Sequence, residues 1–537
     1  MITGNNTFRK LSVALCITLM AAGAGAAEKA VDQDANKGNL DQSRTITILH
    51  TNDIHGHLES WRGWDGDLKS QIVGGLDRVS ARIREARASA APDSVLLLDA
   101  GDTIGDTMIA VETEGRAVIE TMNAIGYDAM VVGNHEPDFA AEKLRLRIAE
   151  ARFPVLAANI SHRSNGKLFT KPYIIRDVNG VRVGILGLAY PNTPLTSARK
   201  NVQNLRFGDA VETAREYVPR LRREGAQIVI ALTHLGLSAD KQLAEKVDGI
   251  DVIVGGHSHN RMKDARQVRQ TLIVQAGAHG SDLGRLDLTI ADSHIVSHSR
   301  TLIPISGEQT DRAIADMIAQ QRAPYEQKMA ASIGRATTLI ARAQTIAGQE
   351  PDKRDAESPA DDLFADAIRE TTGAQVAFLP GLGYGVALQP GKITAAQLRN
   401  LIPHDSAVWM MRLTGYQIRQ VLEQSIENFT TKDTTKKVGG MIQVSGLKFS
   451  YDPEAQQHQR VQMVIVAGQA LEPRRRYTVA VNSLLAGGGH NYKAFKRGTD
   501  RREKGKQYEM VKSWIERRGE VSAPPTDRIT KVSGNEK

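Results

Sequence analysis

Seven side chains of metal-binding type stand at the trailing ends of apolar runs. "TNDIHG" carries Asp53 and His55, "DAGD" carries Asp102, "GNHEPD" carries Asn134, "THLG" carries His234, and "GGHSH" carries His257 and His259. Imidazole, carboxylate and amide oxygen suit Zn, Mn, Fe or Co, and the absence of cysteine from these tips argues against a structural zinc knot. Each tip alone has an ordinary reading. An Asp-x-His after a strand is common, an Asn in "GNHE" suits a left-handed turn, and Gly-Gly-His suits a close backbone approach. Five tips of one kind in one stretch of chain are not five accidents. Together they read as a metal site.

The elements that must carry these tips are legible as well. "TITILHTND", "SVLLLDAGD", "AMVVGNHE", "VRVGILGLA", "QIVIALTH", "DVIVGGHSH" and "TLIVQAGAHG" are unbroken Val/Ile/Leu-rich runs, separated by helical patterns such as "GLDRVSARIREAR". Such runs suit strands buried on both faces in an α/β layered domain, here 45–306. In open α/β sheets the crevice lies at the carboxyl ends of the strands, so the tips should converge. Residues 307–345 turn polar and helical, with a break at Pro324, and read as an interdomain connector and hinge region. A second, mixed α/β domain is expected over 346–521 and a tail over 522–537, with Pro524-Pro525 near its start.

At the N-terminus, Arg9 and Lys10 precede "LSVALCITLMAAGAGA", which is too short for a settled membrane helix and ends on Ala24-Gly25-Ala26. Residues 1–26 read as a cleaved signal peptide and 27–44 as a disordered spacer, giving a periplasmic protein with no stable membrane anchor. Cys16 is the only cysteine, so the mature chain has no disulfide. The net charge of +8 is spread over 69 basic and 61 acidic residues, and the short basic runs at Arg474–Arg476 and after Arg501 lack interleaved aromatics. They read as solvated faces, and no nucleic-acid partner is expected.

In this order the motifs resemble those of the calcineurin-type metallophosphoesterases, specifically the secreted 5′-nucleotidase family. "MIQVSGLKFSYDP" and "YTVAVNSLLAGGG" resemble that family's C-terminal domain. The resemblance implies a layered β-sandwich flanked by helices, followed by a smaller α/β substrate domain. It also implies two divalent metal ions (Mn, Zn or Co). One would be held by Asp53, His55, Asp102 and His259, the other by Asp102, Asn134, His234 and His257, with Asp102 as the bridge. Two such ions can clamp a phosphoryl group and activate water at neutral pH. By the same resemblance His135 is the catalytic residue that stabilises developing charge and the leaving group, and Asp138 is close enough to orient its imidazole. Glu136 reads as a helix-cap carboxylate without a catalytic role, His57 as a neighbour of the ligands, and His50 as packing. His279 reads as pocket lining.

The second domain departs from the family. The loop that should carry Asn and Arg for the substrate reads "LPGLGYG", with Pro380 and Gly385 in their places. Glycine cannot replace an arginine's two-point grip on phosphate. Pro403-His404 stands where the family has Pro-Phe, and "GGHNY" places His490 and Tyr492 in the other half of the pocket. The expected substrate-binding set is therefore Tyr492, His404, His490 and Tyr384. These residues point to a metal-dependent periplasmic phosphoester hydrolase, 5′-nucleotidase-like. Its small-molecule substrate would be a nucleoside monophosphate, a cyclic nucleotide or a nucleotide sugar. An alternative is a thiosulfohydrolase-like enzyme acting on a carrier-bound sulfur ester. A non-catalytic binding protein is the third reading; it leaves His135 and Asp138 without a purpose.

Overall fold

Alternation along the strands decides the layering. Strands β1 (Arg44–Thr51), β2 (Val95–Asp99), β3 (Ala129–Val131) and β4 (Val155–Leu156) are parallel neighbours in one sheet. A second sheet holds β5 (Tyr173–Val178), β6 (Val181–Leu188), β7 (Ile228–Thr233), β8 (Val252–Gly255), β9 (Arg266–Val268) and β10 (Thr271–Val274), in the spatial order β9-β10-β8-β7-β6-β5. The hairpin β11 (Asp282–Ala291) and β12 (His294–Pro304) completes the first sheet beside β1. Ile46, Ile48, Leu96 and Leu98 share one apolar cluster with Ile228, Ile230 and Val252 of the other sheet. Leu49, Leu97 and Met130 face outward onto helices α1 (Leu76–Ser89), α2 (Arg116–Ile125) and α3 (Ala141–Glu150). Val229, Ala231 and Ile253 do the same beneath α4 (Ala210–Arg223) and α5 (Leu237–Lys246). The result is a four-layer α/β/β/α sandwich. Burying a side chain of this size is worth about 1.5–3 kcal/mol, and both faces of each strand collect it, which explains the unbroken apolar runs.

This computed structural model describes residues 43–63, 68–342, 356–381, 386–404, 406–433, 436 and 438–532. The leader read over 1–26, and the spacer up to residue 42, lie outside them. Among the described residues no helix is long and apolar enough to cross a membrane.

The connector begins as expected and ends early. It comprises α6 (Arg312–Arg322), a 3-10 turn at Ala323–Tyr325 and α7 (Glu326–Ala330). Ser332–Ala336 is then already a strand, paired with Gly391–Thr394, so the second domain starts well before residue 346. Its five-residue pattern buries only Ile333 and Ala336, too little alternation to announce a strand. The domain's main sheet orders Gln443–Ser445, Val376–Leu379, Arg476–Asn482, Ala407–Thr414 and Thr499–Lys506. Arg44–Lys537 is a single compact unit. One apolar cluster runs from Ile109 and Met122 through Ile314 and Ile318 to Leu398, Leu363 and Ile515. Thus α6, read as a hinge region, is seated against α1 and α2.

The tail is a further correction. Ile529–Lys531 lies parallel beside Phe449–Tyr451, and the Arg528 guanidinium donates to Asp366 at 2.7 Å. A three-residue strand behind Pro524-Pro525 is too short to leave a pattern. Arg528 Nε lies 3.6 Å from Asp362, which is fully buried and faces Glu357. Burial first, and the neighbouring Glu357 second, raise the Asp362 pKa above its ordinary value. A carboxyl whose folded pKa is raised contributes stability below its unfolded pKa of about 4 and loses it as pH climbs toward the folded value. Asp362→Asn should therefore flatten the fall in stability between pH 5 and 8.5. Denaturant midpoints of both proteins at the two pH values test this; an unchanged slope would show that Asp362 is ionised in the fold.

Candidate metal centre

The strand registers bring the tips to one edge. Thr51 pairs with Asp99, Asp99 with Met130, and Thr233 with Gly255, so the chains leave both sheets at a common level. Beyond that level five of the seven candidate ligands bend into the left-handed region: Asp53 (φ 52°), His55 (φ 50°), Asp102 (φ 54°), His257 (φ 78°) and His259 (φ 58°). Such backbone costs roughly 1–3 kcal/mol per residue and persists only where the surroundings enforce it. The enforcement is visible. Asp53 N–H donates to Gly101 O (2.9 Å), His55 N–H to Asp102 O (2.8 Å), and His257 N–H to the Asp53 carboxylate (3.0 Å). Glu136, wholly buried, accepts from the N–H groups of Asp102 (3.0 Å), Thr103 (2.6 Å) and Gly133 (2.6 Å). Its role is to tie two loops together, not to cap its own helical turn. A Cβ on Gly133 would stand 2.2 Å from Asp102 Oδ1, so the glycine preceding Asn134 is a steric requirement.

Six of the seven side chains converge, most of them buried. Nε2 of His55 and Nε2 of His259 are 3.2 Å apart, and Asp53 Oδ1 lies 3.4 Å from the latter and 4.0 Å from the former. His234 Nε2 is 2.8 Å from Asp102 Oδ2 and 4.0 Å from Asp53 Oδ1. Asp53, His55 and Asp102 form one group, and Asp102, His234 and His257 another, that could each hold a metal ion; Asp102 belongs to both. Asn134 Oδ1 is buried with no hydrogen-bond donor among the described residues, which is costly unless a cation takes its lone pairs. The donor set therefore fits a pair of divalent cations. His234 Nδ1–H donates to Ala100 O (2.7 Å), which fixes the tautomer with Nε2 free to coordinate.

Charge is tightly balanced. Burial favours neutral Asp53 and Asp102, but the imidazoles of His259 and His234 outweigh it and hold both carboxylates below the usual range. Burial works against a charged His234, yet Asp102 pushes its pKa up to about 9. Protons here stand where cations would. His135 lies beside the group: its Nδ1–H donates to Asp138 Oδ2 at 2.8 Å, and its backbone N–H to Asp102 Oδ1 at 2.8 Å. Against burial, Asp102 and Asp138 raise the His135 pKa well above that of free imidazole.

Two contacts gave no signal at the strand tips. Asp106, four residues beyond Asp102, places Oδ2 2.5 Å from His55 Nδ1, and Asn52 bridges Asp53 Oδ2 and Gly277 O at 2.6 Å each. The hint was available in "DAGDTIGDT", a carboxylate one turn after another. A carboxylate on the far nitrogen of a ligating imidazole fixes its orientation and basicity, so Asp106→Asn should weaken metal binding by about 10–100-fold. Titration of stripped protein with Mn while following bound metal checks this; wild-type affinity would remove Asp106 from the site. His279 is buried with its backbone N–H on Asp53 O (2.7 Å) and its ring 4.4 Å from that of His57, and burial holds both imidazoles below their usual pKa. His279 can also join His55 and His259 in a metal-binding group. His50, inside β1, is buried as packing.

The expected substrate residues fare differently. Tyr384 and Gly385 lie outside the described residues. Tyr492 is 1% exposed in the core of the second domain, packed against Phe495, so its ring has no open stacking face. Its place in the motif was an analogy, and burial overrides it. His490 is 4% exposed, in a turn that packs against the helix Thr193–Thr196 of the first domain. His404 does reach the centre, with its ring parallel to that of His135, which covers one face of it.

Comparison with known proteins agrees with this architecture. The calcineurin-like phosphoesterase family matches residues 46–261, and the 5′-nucleotidase C-terminal domain matches residues 332–497. A snake venom 5′-nucleotidase of Gloydius brevicauda is 30% identical over 91% of this chain and 89% of its own length. Another curated relative is much longer, and the chain spans 35% of it. The crystal structure of a 5′-nucleotidase precursor from Thermus thermophilus superposes with a TM-score of 0.81 at 27% identity, over 92% of this chain and 100% of that one. A sulfate thiohydrolase from Thermus thermophilus, solved with glycerol, superposes at 0.82 over 92% of this chain and 97% of that one. At 23% identity the second likeness shows the fold alone.

Proposed function

Given that the chain belongs to the 5′-nucleotidase family of calcineurin-like phosphoesterases and is a phosphoester hydrolase, we propose that it acts on small phosphoesters of the nucleotide class after export to the periplasm. The observation that carries this reading is the convergence of Asp53, His55, Asp102, His234, His257 and His259 beside the His135–Asp138 pair, with the buried Asn134 Oδ1 left without a donor among the described residues. In this reading Asp53, His55, Asp102 and His259 hold one divalent cation, and Asp102, Asn134, His234 and His257 the other. Bound there, the cations would supply Lewis acidity toward the phosphoryl oxygens and a nucleophile at neutral pH. The rest falls to the chain. Asp138 occupies Nδ1 of His135, which leaves Nε2 as the nitrogen that meets the leaving-group oxygen. The Asp138 carboxylate stabilises a proton on the ring, ready to neutralise that oxygen. Nucleoside monophosphates, cyclic nucleotides and nucleotide sugars remain the candidate substrates, because the loop carrying Pro380 lacks the family's polar donors.

The test is phosphate release by the chain from Ala27 onward against these substrates and simple phosphoesters, with Mn, Co and Zn. Metal-dependent turnover sustains the reading. Silence from folded, metal-loaded protein would overturn it in favour of a sulfur ester. N-terminal sequencing of protein recovered from the periplasm is expected to begin at Ala27; an intact Met1 would remove the export proposal.

A further inference from the structure

Asp138 meets a second imidazole, and that one comes from the other domain. Nδ1 of His404 lies 3.3 Å from Asp138 Oδ2, the same oxygen that accepts from His135 Nδ1 at 2.8 Å. The His404 and His135 rings are parallel to within 2°, with centroids 5.1 Å apart. The side chains of His404 and Asp138 are 31% and 20% exposed, so neither is locked by burial alone. What places His404 is rigid: it follows the helix Ala395–Leu401, which packs on the helix Met108–Glu112 of the first domain, and precedes the strand Ala407–Thr414.

We infer that His404 is a positioning residue for the Asp138–His135 pair, acting through Asp138 and not on the substrate. The inference rests on the role proposed above for that pair. An aspartate held by one donor keeps torsional freedom about its side chain. A second imidazole nitrogen 3.3 Å from the same oxygen restricts it, and the parallel ring limits the plane of His135. The second domain thereby reaches the reacting end of the site with a single side chain, and its seating is coupled to the orientation of the proton donor.

Two substitutions separate donor from ring. His404→Phe keeps a flat ring against His135 and removes the N–H; His404→Asn restores an N–H donor near the Nδ1 position. The substrate is ribose 5-phosphate, which has no nucleobase for residue 404 to stack on and whose alkoxide leaving group needs the proton, and the enzyme is Mn-loaded. In His404→Phe kcat should fall by roughly three- to tenfold with KM unchanged, the worth of one hydrogen bond. In His404→Asn it should recover. Wild-type kcat in the phenylalanine variant, or an asparagine variant as slow as the phenylalanine one, overturns the inference. Should wild type itself show no turnover, the functional reading falls, and the contact is then judged in a crystal structure of the Mn-loaded protein. Both imidazoles on one Asp138 oxygen sustain it, and a His404 turned to solvent overturns it.

Discussion

Asp102→Asn should lose one of the two cations and about a thousandfold or more of the turnover. Asp102 links the Asp53–His55 group to the His234–His257 group, its Oδ2 2.8 Å from His234 Nε2 and its Oδ1 accepting the His135 backbone N–H. An amide keeps the shape but removes the charge between the two cations and offers one coordinating oxygen in place of two. Charge stabilisation of the transition state by a metal pair is worth several kcal/mol, and each 1.4 kcal/mol is about tenfold in rate. Metal content and turnover should be read together on the same preparation. A variant that still binds two ions and still turns over would dismiss Asp102 as the bridge.

His135→Gln carries the second large effect, and it should fall on kcat alone. The glutamine leaves the metal groups untouched and removes the proton that meets the leaving oxygen, a step worth about 10²–10⁴-fold. The loss should depend on the leaving group. A nucleoside hydroxyl needs that proton and should show the full decrease, whereas 4-nitrophenolate leaves readily as an anion and should show far less. Equal losses on both substrates would mean that His135 orients the phosphoryl group and does not donate a proton.

Why the strand tips were legible and other features were not is a matter of physics. Asp53, His55, Asp102, Asn134, His234, His257 and His259 follow runs that must be buried on both faces, and in parallel sheets the carboxyl ends of such runs share an edge. Asp106 lies in a loop with no periodicity, and left-handed backbone at Asp102 (φ 54°) and at Asp106 itself (φ 83°) accompanies its return to His55. Glu136 looked like a cap because it opens a short helix, but its oxygens turn away from that helix toward the Asp102 loop. Ser332–Ala336 and Ile529–Lys531 are strands only by virtue of their partners, and a partner 55 to 80 positions away leaves no local trace. Tyr492 shows the limit of motif analogy: the position in "GGHNY" suggested a ring facing substrate, whereas an adjacent apolar cluster claims the ring.

The pairing of β1 also governs when the protein can exist at all. Its neighbours are β2, close in the chain, and β11, whose Asp287 accepts from Thr47 across 240 positions. The first sheet cannot close until β11 has been made, and the small sheet of the second domain waits for Ile529–Lys531 at the far end of the chain. Contacts of such long range slow folding and expose half-built sheet edges on the way. The candidate ligands between Asp53 and His259 are thus gathered late, after synthesis has passed them, and a chain cut short before Asp282 carries every one of them with no closed sheet to hold them.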